Sequence, residues 1–160
     1  MNRFVLIRHA KSSWKFPHLT DHQRPLNKRG RRDGPKIGSY LVNKGPFVPN
    51  LFFISSAKRT QETWSCIQNQ LTSSYQCQSL ERLYLCNPSV IWTIIKENVG
   101  ANKIPCIIAH NPSIEYIVEN LTREQDDIRV TTGNIIYFEK EKNHWQIIDF
   151  FRPRRPKKKF

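Results

Sequence analysis

No apolar run in this 160-residue chain approaches the ~20 residues that a membrane-spanning helix needs. The first apolar run, Phe4 to Ile7, is four residues long, short of the ~7–15 of a secretory signal, so a cytoplasmic protein is the expectation. Cysteine is scarce and unpatterned. Cys66, Cys77, Cys86 and Cys106 show no CxxC and no Cys/His ligand spacing, which argues against a metal site and a disulfide framework. Cys66 falls in a predicted helix and Cys106 in a predicted strand, where each reads as a small buried hydrophobe. With 6 glycines, 38% hydrophobic and 11% aromatic residues, no internal repeat and no long linker, the composition is that of one globular domain with a proper core.

Acidic residues are the other shortage. Thirteen Asp and Glu face 26 Lys and Arg, a formal charge of +13. Six of the cations crowd the last nine residues, "RPRRPKKKF"; without them the balance is still 20 against 13. Such a field favours anionic partners: phosphorylated substrates, nucleic acid or acidic proteins. The tail itself reads as a solvated, unfolded end, and the body lacks the interleaved aromatic and basic residues of an RNA-recognition surface. Nucleic acid binding is therefore expected to be non-specific at most, and the domain to occupy residues 1–152 with a basic tail over 153–160.

What is present alternates. "RFVLI" reads as a strand, and Asn27 is placed to cap a basic helix from Lys28 to Asn43, stopped by Gly45-Pro46. "NLFFIS" is a second strand and "AKRTQETWSCIQNQL" a helix; "SVIWTIIKENV" is a helix entered through Asn87-Pro88; "KIPCIIA" is a third strand. "HNPSIEYIVENL" suggests a further helix capped by Asn111 with Pro112 in its first turn. "NIIYFEK" and "HWQIIDFF", parted by "EKN", form a predicted antiparallel hairpin. The pattern predicts an α/β fold: a three-layer α/β/α sandwich with a mostly parallel central sheet, helices on both faces, and the C-terminal hairpin extending the sheet at one edge.

Three of the strands end in an unusual way. "FVLI" runs into Arg8 and His9, "LFFIS" into Ser56-Ala57-Lys58-Arg59, and "CIIA" into His110. Ligands of open α/β sheets bind outside the carboxyl ends of the strands, so two arginines and two histidines are expected to converge at one edge. Taken singly, each would be a structural histidine or a solvated arginine; their shared position makes an anion site. Such a pocket suits a phosphoryl dianion, with planar guanidinium donors, helix N-termini and an imidazole able to attack phosphorus. Fixed cations would oppose the transition-state charge without a metal.

At this point the chain resembles a known family. "LIRHAKSSW", "RPLNKRGRRDGPKIG", "SSAKRTQET" and "AHNPSIE", in this order, are similar to the signature blocks of the histidine phosphatase superfamily (phosphoglycerate mutase-like), in its small SixA-type branch. The resemblance implies that His9 is the nucleophile, forming a transient phosphohistidine. It implies that Arg8, Arg59 and His110 hold the transferring group, and that the substrate is phosphohistidine on a signalling protein. It implies no cofactor. Lys11, Asp21 and Arg24 fall in matching blocks, with Lys11 and Arg24 expected at the pocket rim. The chain departs from larger relatives at Ala10, at Lys15, where they have a phosphate-contacting asparagine, and at Ala109. Alkyl phosphates need a general acid, and Glu81 is the candidate by chain order; an exposed acid paired with a neighbouring arginine is the alternative reading. The rival functions are a broad small-molecule phosphomonoesterase and a non-catalytic binder of phosphoprotein or nucleic acid. A mutase-like role would need closing segments for which the chain has little room.

Overall fold

The computed structural model describes residues 1–122 and 128–153, so the expected tail lies outside the described residues from 154 onward. Four strands alternate with four helices along the chain and a final hairpin follows: β1 (Arg3–Arg8), α1 (Lys28–Asn43), β2 (Leu51–Ser55), α2 (Lys58–Gln68), β3 (Gln76–Leu80), α3 (Pro88–Asn98), β4 (Pro105–Ala109), α4 (Ser113–Leu121), β5 (Ile135–Glu141) and β6 (His144–Phe151). One six-stranded sheet has the order β3-β2-β4-β1-β5-β6. β1 pairs with β4, and β2 with both β3 and β4, in parallel, whereas β5 and β6 are antiparallel.

The central strands β1 and β4 are apolar on both sides because helices cover both sides. Phe4 and Leu6 of β1 point to one face, where they meet Ile91, Ile94 and Ile95 of α3 and Ile114 and Val118 of α4. Val5 and Ile7 point to the other, against Ile37 and Leu41 of α1 and Trp64 and Ile67 of α2. β4 alternates likewise, Ile107 to the first face and Ile108 to the second. The expected three-layer architecture is therefore the one observed.

Local signals account for most of the boundaries. The Asn27 side chain accepts from Gly30 N at 2.9 Å and starts α1; Asn87 accepts from Ser89 N at 3.1 Å and starts α3. α4 departs from expectation. It begins at Ser113, with Pro112 ahead of it, joined to Asn111 by a cis peptide bond. Asn111 does not cap this helix, because its side-chain amide donates to the Val130 carbonyl at 2.8 Å. The structure also adds β3, whose polar "QCQSL" carries no apolar alternation; it lies exposed at the sheet edge beside β2.

Candidate active site

β1, β2 and β4 lie side by side and parallel, so their carboxyl ends open on one edge, and the first turns of α2 and α4 leave from it. Neither helix has a side-chain cap at its N-terminus, so the positive dipole ends of both helices stand at this edge with no side chain of their own across them. The backbone of Arg8 and His9 is fixed from both neighbours. His9 N donates to Ala109 O at 3.3 Å, and Gly133 N reaches the carbonyls of both Arg8 and His9 at 3.0 Å. Gly133 does so at φ +80°, a left-handed conformation that suits glycine.

The His9 ring is 6% exposed, and its Nδ1 lies 2.7 Å from the Ala10 carbonyl. A carbonyl only accepts, so Nδ1 carries the proton and Nε2 keeps its lone pair. Arg59 Nε donates to that lone pair at 3.3 Å. Burial, reinforced by the charges of Arg59 and Arg8, pulls the His9 pKa down to about 3, so the ring is neutral at physiological pH. The Ala10 amide donates to Thr63 Oγ1 at 3.0 Å, which ties this turn to α2.

His110 faces His9 with ring centroids 5.2 Å apart. Its Nε2 is 2.7 Å from Ser55 Oγ, at the end of β2, while its buried Nδ1 has no partner among the described residues. Burial, with His9 and Arg59 adding, lowers its pKa to about 3 as well. Arg8 donates through Nη1 to the Val130 carbonyl at 3.0 Å and keeps a buried Nε without a partner. Burial lowers the Arg8 pKa and nearby Glu115 raises it.

Arg59 is 3% exposed and held by Asp21, whose carbonyl accepts from Nη1 at 2.7 Å and whose Oδ2 accepts from Nη2 at 3.1 Å. The Tyr84 hydroxyl donates to the same carboxylate oxygen, and Arg24 Nε donates to the other at 3.1 Å. Burial opposes a charge on Asp21, but Tyr84, Arg59 and Arg24 together hold its pKa at about 2. Burial and the Asp21 carboxylate push the Tyr84 hydroxyl up.

Arg8, His9, Arg59 and His110, all expected from the strand ends, thus stand together. Arg24 lies one bond further out; besides Asp21 it binds Ser12 Oγ at 2.8 Å and Ser13 O at 3.1 Å, so it braces the loop after β1. Lys11 is half-buried and its carbonyl accepts from Asn27 N at 2.9 Å. Glu81 opens a 3₁₀ turn (Glu81–Leu83) and is exposed; Tyr84, just past that turn, is the residue of the segment that bonds into the cluster. Sequence reasoning missed Tyr84 and gave no role to Ser55 and Thr63, although both lie in the matching block "SSAKRTQET". Thr63 had a signal, since it sits one turn of α2 beyond Arg59. Among the described residues, no group of three His, Cys, Asp or Glu stands close enough to hold a metal ion.

No family model matches the chain. A chloroplastic protein of Arabidopsis thaliana, itself uncharacterized, is 44% identical over 69 residues, or 43% of this chain; the chain spans only 31% of that relative's length. An uncharacterized protein of Mycobacterium leprae is 32% identical over 119 residues, which cover 72% of this chain and 71% of that protein. Among solved structures, the candidate phosphohistidine phosphatase SixA of Agrobacterium tumefaciens superimposes with a TM-score of 0.84, at 23% identity, over 95% of this chain and 98% of that one. The protein histidine phosphatase SixA complexed with tungstate gives 0.78 at 17% identity, over 94% and 97%. A phosphoserine phosphatase of Entamoeba histolytica gives 0.66 at 13%, over 94% and 96%.

Proposed function

Because the chain belongs to one family with the Mycobacterium leprae protein and has the fold of the histidine phosphatase superfamily, we propose that it is a phosphatase working through a phosphohistidine on His9. The observation that carries this reading is the fixed tautomer of His9. With Nδ1–H bonded to the Ala10 carbonyl, the lone pair of Nε2 is turned into a cluster of two guanidinium groups and a second neutral imidazole. Nε2 attacks phosphorus in line, forming an N–P bond as the bond to the leaving group breaks. Arg59 Nε moves from the lone pair to a phosphoryl oxygen. Arg8 and the unpartnered Nδ1 of His110 address the others, a fixed set of dipoles and charges for the transition state. Water then attacks the phosphoenzyme, inorganic phosphate leaves, and His9 returns to its neutral state.

The substrate we propose is phosphohistidine on a protein. An alkoxide leaving group needs a proton from a neutral acid, yet the carboxylate bonded into the cluster, Asp21, is ionised well below neutral pH. An imidazole leaving group takes its proton from water or arrives protonated, and has no need of such an acid. Of two SixA proteins that share this fold, one is described as a candidate phosphohistidine phosphatase and the other as a protein histidine phosphatase, which supports the same choice, although the fold also serves a phosphoserine phosphatase.

The test is turnover of a phosphohistidine-bearing phosphotransfer domain and of p-nitrophenyl phosphate, with a chelator present. The phosphoprotein should be hydrolysed faster, with no loss of rate to the chelator. His9→Ala should remove all turnover while leaving the thermal transition in place. The wild-type protein should take up acid-labile, base-stable phosphate. Full activity in the His9 variant overturns the mechanism; a preference for the ester overturns the substrate and favours a broad phosphomonoesterase.

A further inference from the structure

We infer that the rim of the His9 pocket is a docking surface for the phosphorylated protein itself, centred on Trp14; this rests on the phosphatase reading above. Six large hydrophobic side chains are exposed among the described residues, and four of them, Trp14, Phe16, Leu85 and Tyr116, lie on segments that serve the site. Trp14 and Phe16 are on the loop that follows His9. Leu85 follows Tyr84, and Tyr116 is in α4, which follows His110. An apolar groove of about 690 Å³ between α3 and α4 continues from there, lined by Trp92, Pro112 and Tyr116 among others. Apolar area spread over three segments that also carry site residues exceeds what a small ester can touch, and it suits the surface of a macromolecule.

Two of these residues are held out deliberately. Trp14 is 75% exposed, yet one face of its ring lies 3.5 Å from the guanidinium carbon of Arg24. Arg24 is itself buried and bound to Asp21, Ser12 and Ser13. The base of the loop is pinned by Ser13 N to Pro25 O at 2.8 Å and by a bridge between Ser12 and Leu26. The outer ring face is thus presented already ordered, which lowers the entropy lost on docking, and tryptophan and arginine are the residues that dominate interfaces. Leu85 takes φ +45° and is 55% exposed, so a strained backbone is kept where the side chain gains no burial.

Charge selects the partner. Lys15 beside Trp14 is exposed, as are Lys28, Arg31 and Arg32 in the opening turns of α1, which has no acidic residue in its first turn. Cations there oppose the helix dipole. The complementary occupant is a folded protein with an apolar patch, bordered by acidic residues, around its phosphorylated histidine.

The experiment compares Trp14→Ala and Tyr116→Ala with wild type on three probes: a phosphohistidine-bearing phosphotransfer domain, free phosphohistidine and p-nitrophenyl phosphate. KM for the domain should rise about tenfold or more in the Trp14 variant. The two small substrates should keep kcat/KM within about twofold. In parallel, the affinity of the phosphorylated domain for His9→Ala, and for His9→Ala combined with Trp14→Ala, is measured by calorimetry, and should weaken by a similar factor. Equal losses on all three probes, or an affinity unchanged by Trp14→Ala, overturn the docking rim while leaving the phosphatase reading intact. Absence of turnover on every probe in wild type instead removes the phosphatase reading, and the calorimetric comparison still decides the rim.

Discussion

His9 and His110 are both buried, neutral and held near pKa 3 in the native protein. In the unfolded chain a histidine binds its proton at about pH 6.5. Between those values the unfolded state holds more protons than the native one, so stability rises with pH across that window. Acidification from neutral pH should therefore destabilise the fold well before the carboxylates titrate, and the loss should deepen towards pH 3. His110→Gln should show a shallower fall of Tm between neutral pH and mild acid, as followed by thermal melts at several pH values; an unchanged slope would mean that His110 is protonated in the native state. Asp21 acts at lower pH and in the same sense. Its pKa of about 2 gives stability that is present above the ordinary carboxylate value and lost as pH falls towards 2.

At the scale of elements, the buried parallel strands were readable because both of their faces are covered, which makes "FVLI" and "CIIA" unbroken apolar runs. Asn27 and Asn87 were readable because a cap and its amide lie within three residues of each other. β3 was not, since an edge strand is held by backbone bonds to one neighbour and its side chains face water. Asn111 was misread for a related reason: its partner, Val130, lies 19 residues away, beyond what local pattern can show. The site divides along the same line. Arg8, His9, Arg59 and His110 sit at or just past strand ends, whereas Tyr84 reaches Asp21 across 63 positions. One helix position tests how the loop after β1 is seated. A methyl at Gly30 would overlap the Lys11 carbonyl, backbone against backbone. Gly30→Ala should lose about 1–3 kcal/mol in urea denaturation and depress turnover of p-nitrophenyl phosphate, because the Lys11 loop must move. A variant that keeps both would show that the helix, not the loop, gives way.

The whole molecule presents a basic surface, +13 in formal charge, around a pocket already lined by arginine. Exposed charges act over about 8 Å at physiological ionic strength, so long-range attraction of an acidic phosphoprotein is sensitive to salt. The kcat/KM for a phosphoprotein should fall more steeply with ionic strength than that for p-nitrophenyl phosphate. Parallel slopes would assign the salt effect to the phosphoryl group alone.

β1 is the first strand of the chain, yet it lies inside the sheet between β4 and β5, with Val5 opposite Cys106 and Tyr137. While the chain is being synthesised, "FVLI" therefore waits for partners about a hundred residues away, roughly 5–20 s at ordinary elongation rates. For that interval a sticky strand protrudes from the ribosome with nothing to pair with, which makes the nascent protein a natural client for chaperones that shield apolar segments. The strand that carries Arg8 precedes both of its sheet partners along the chain.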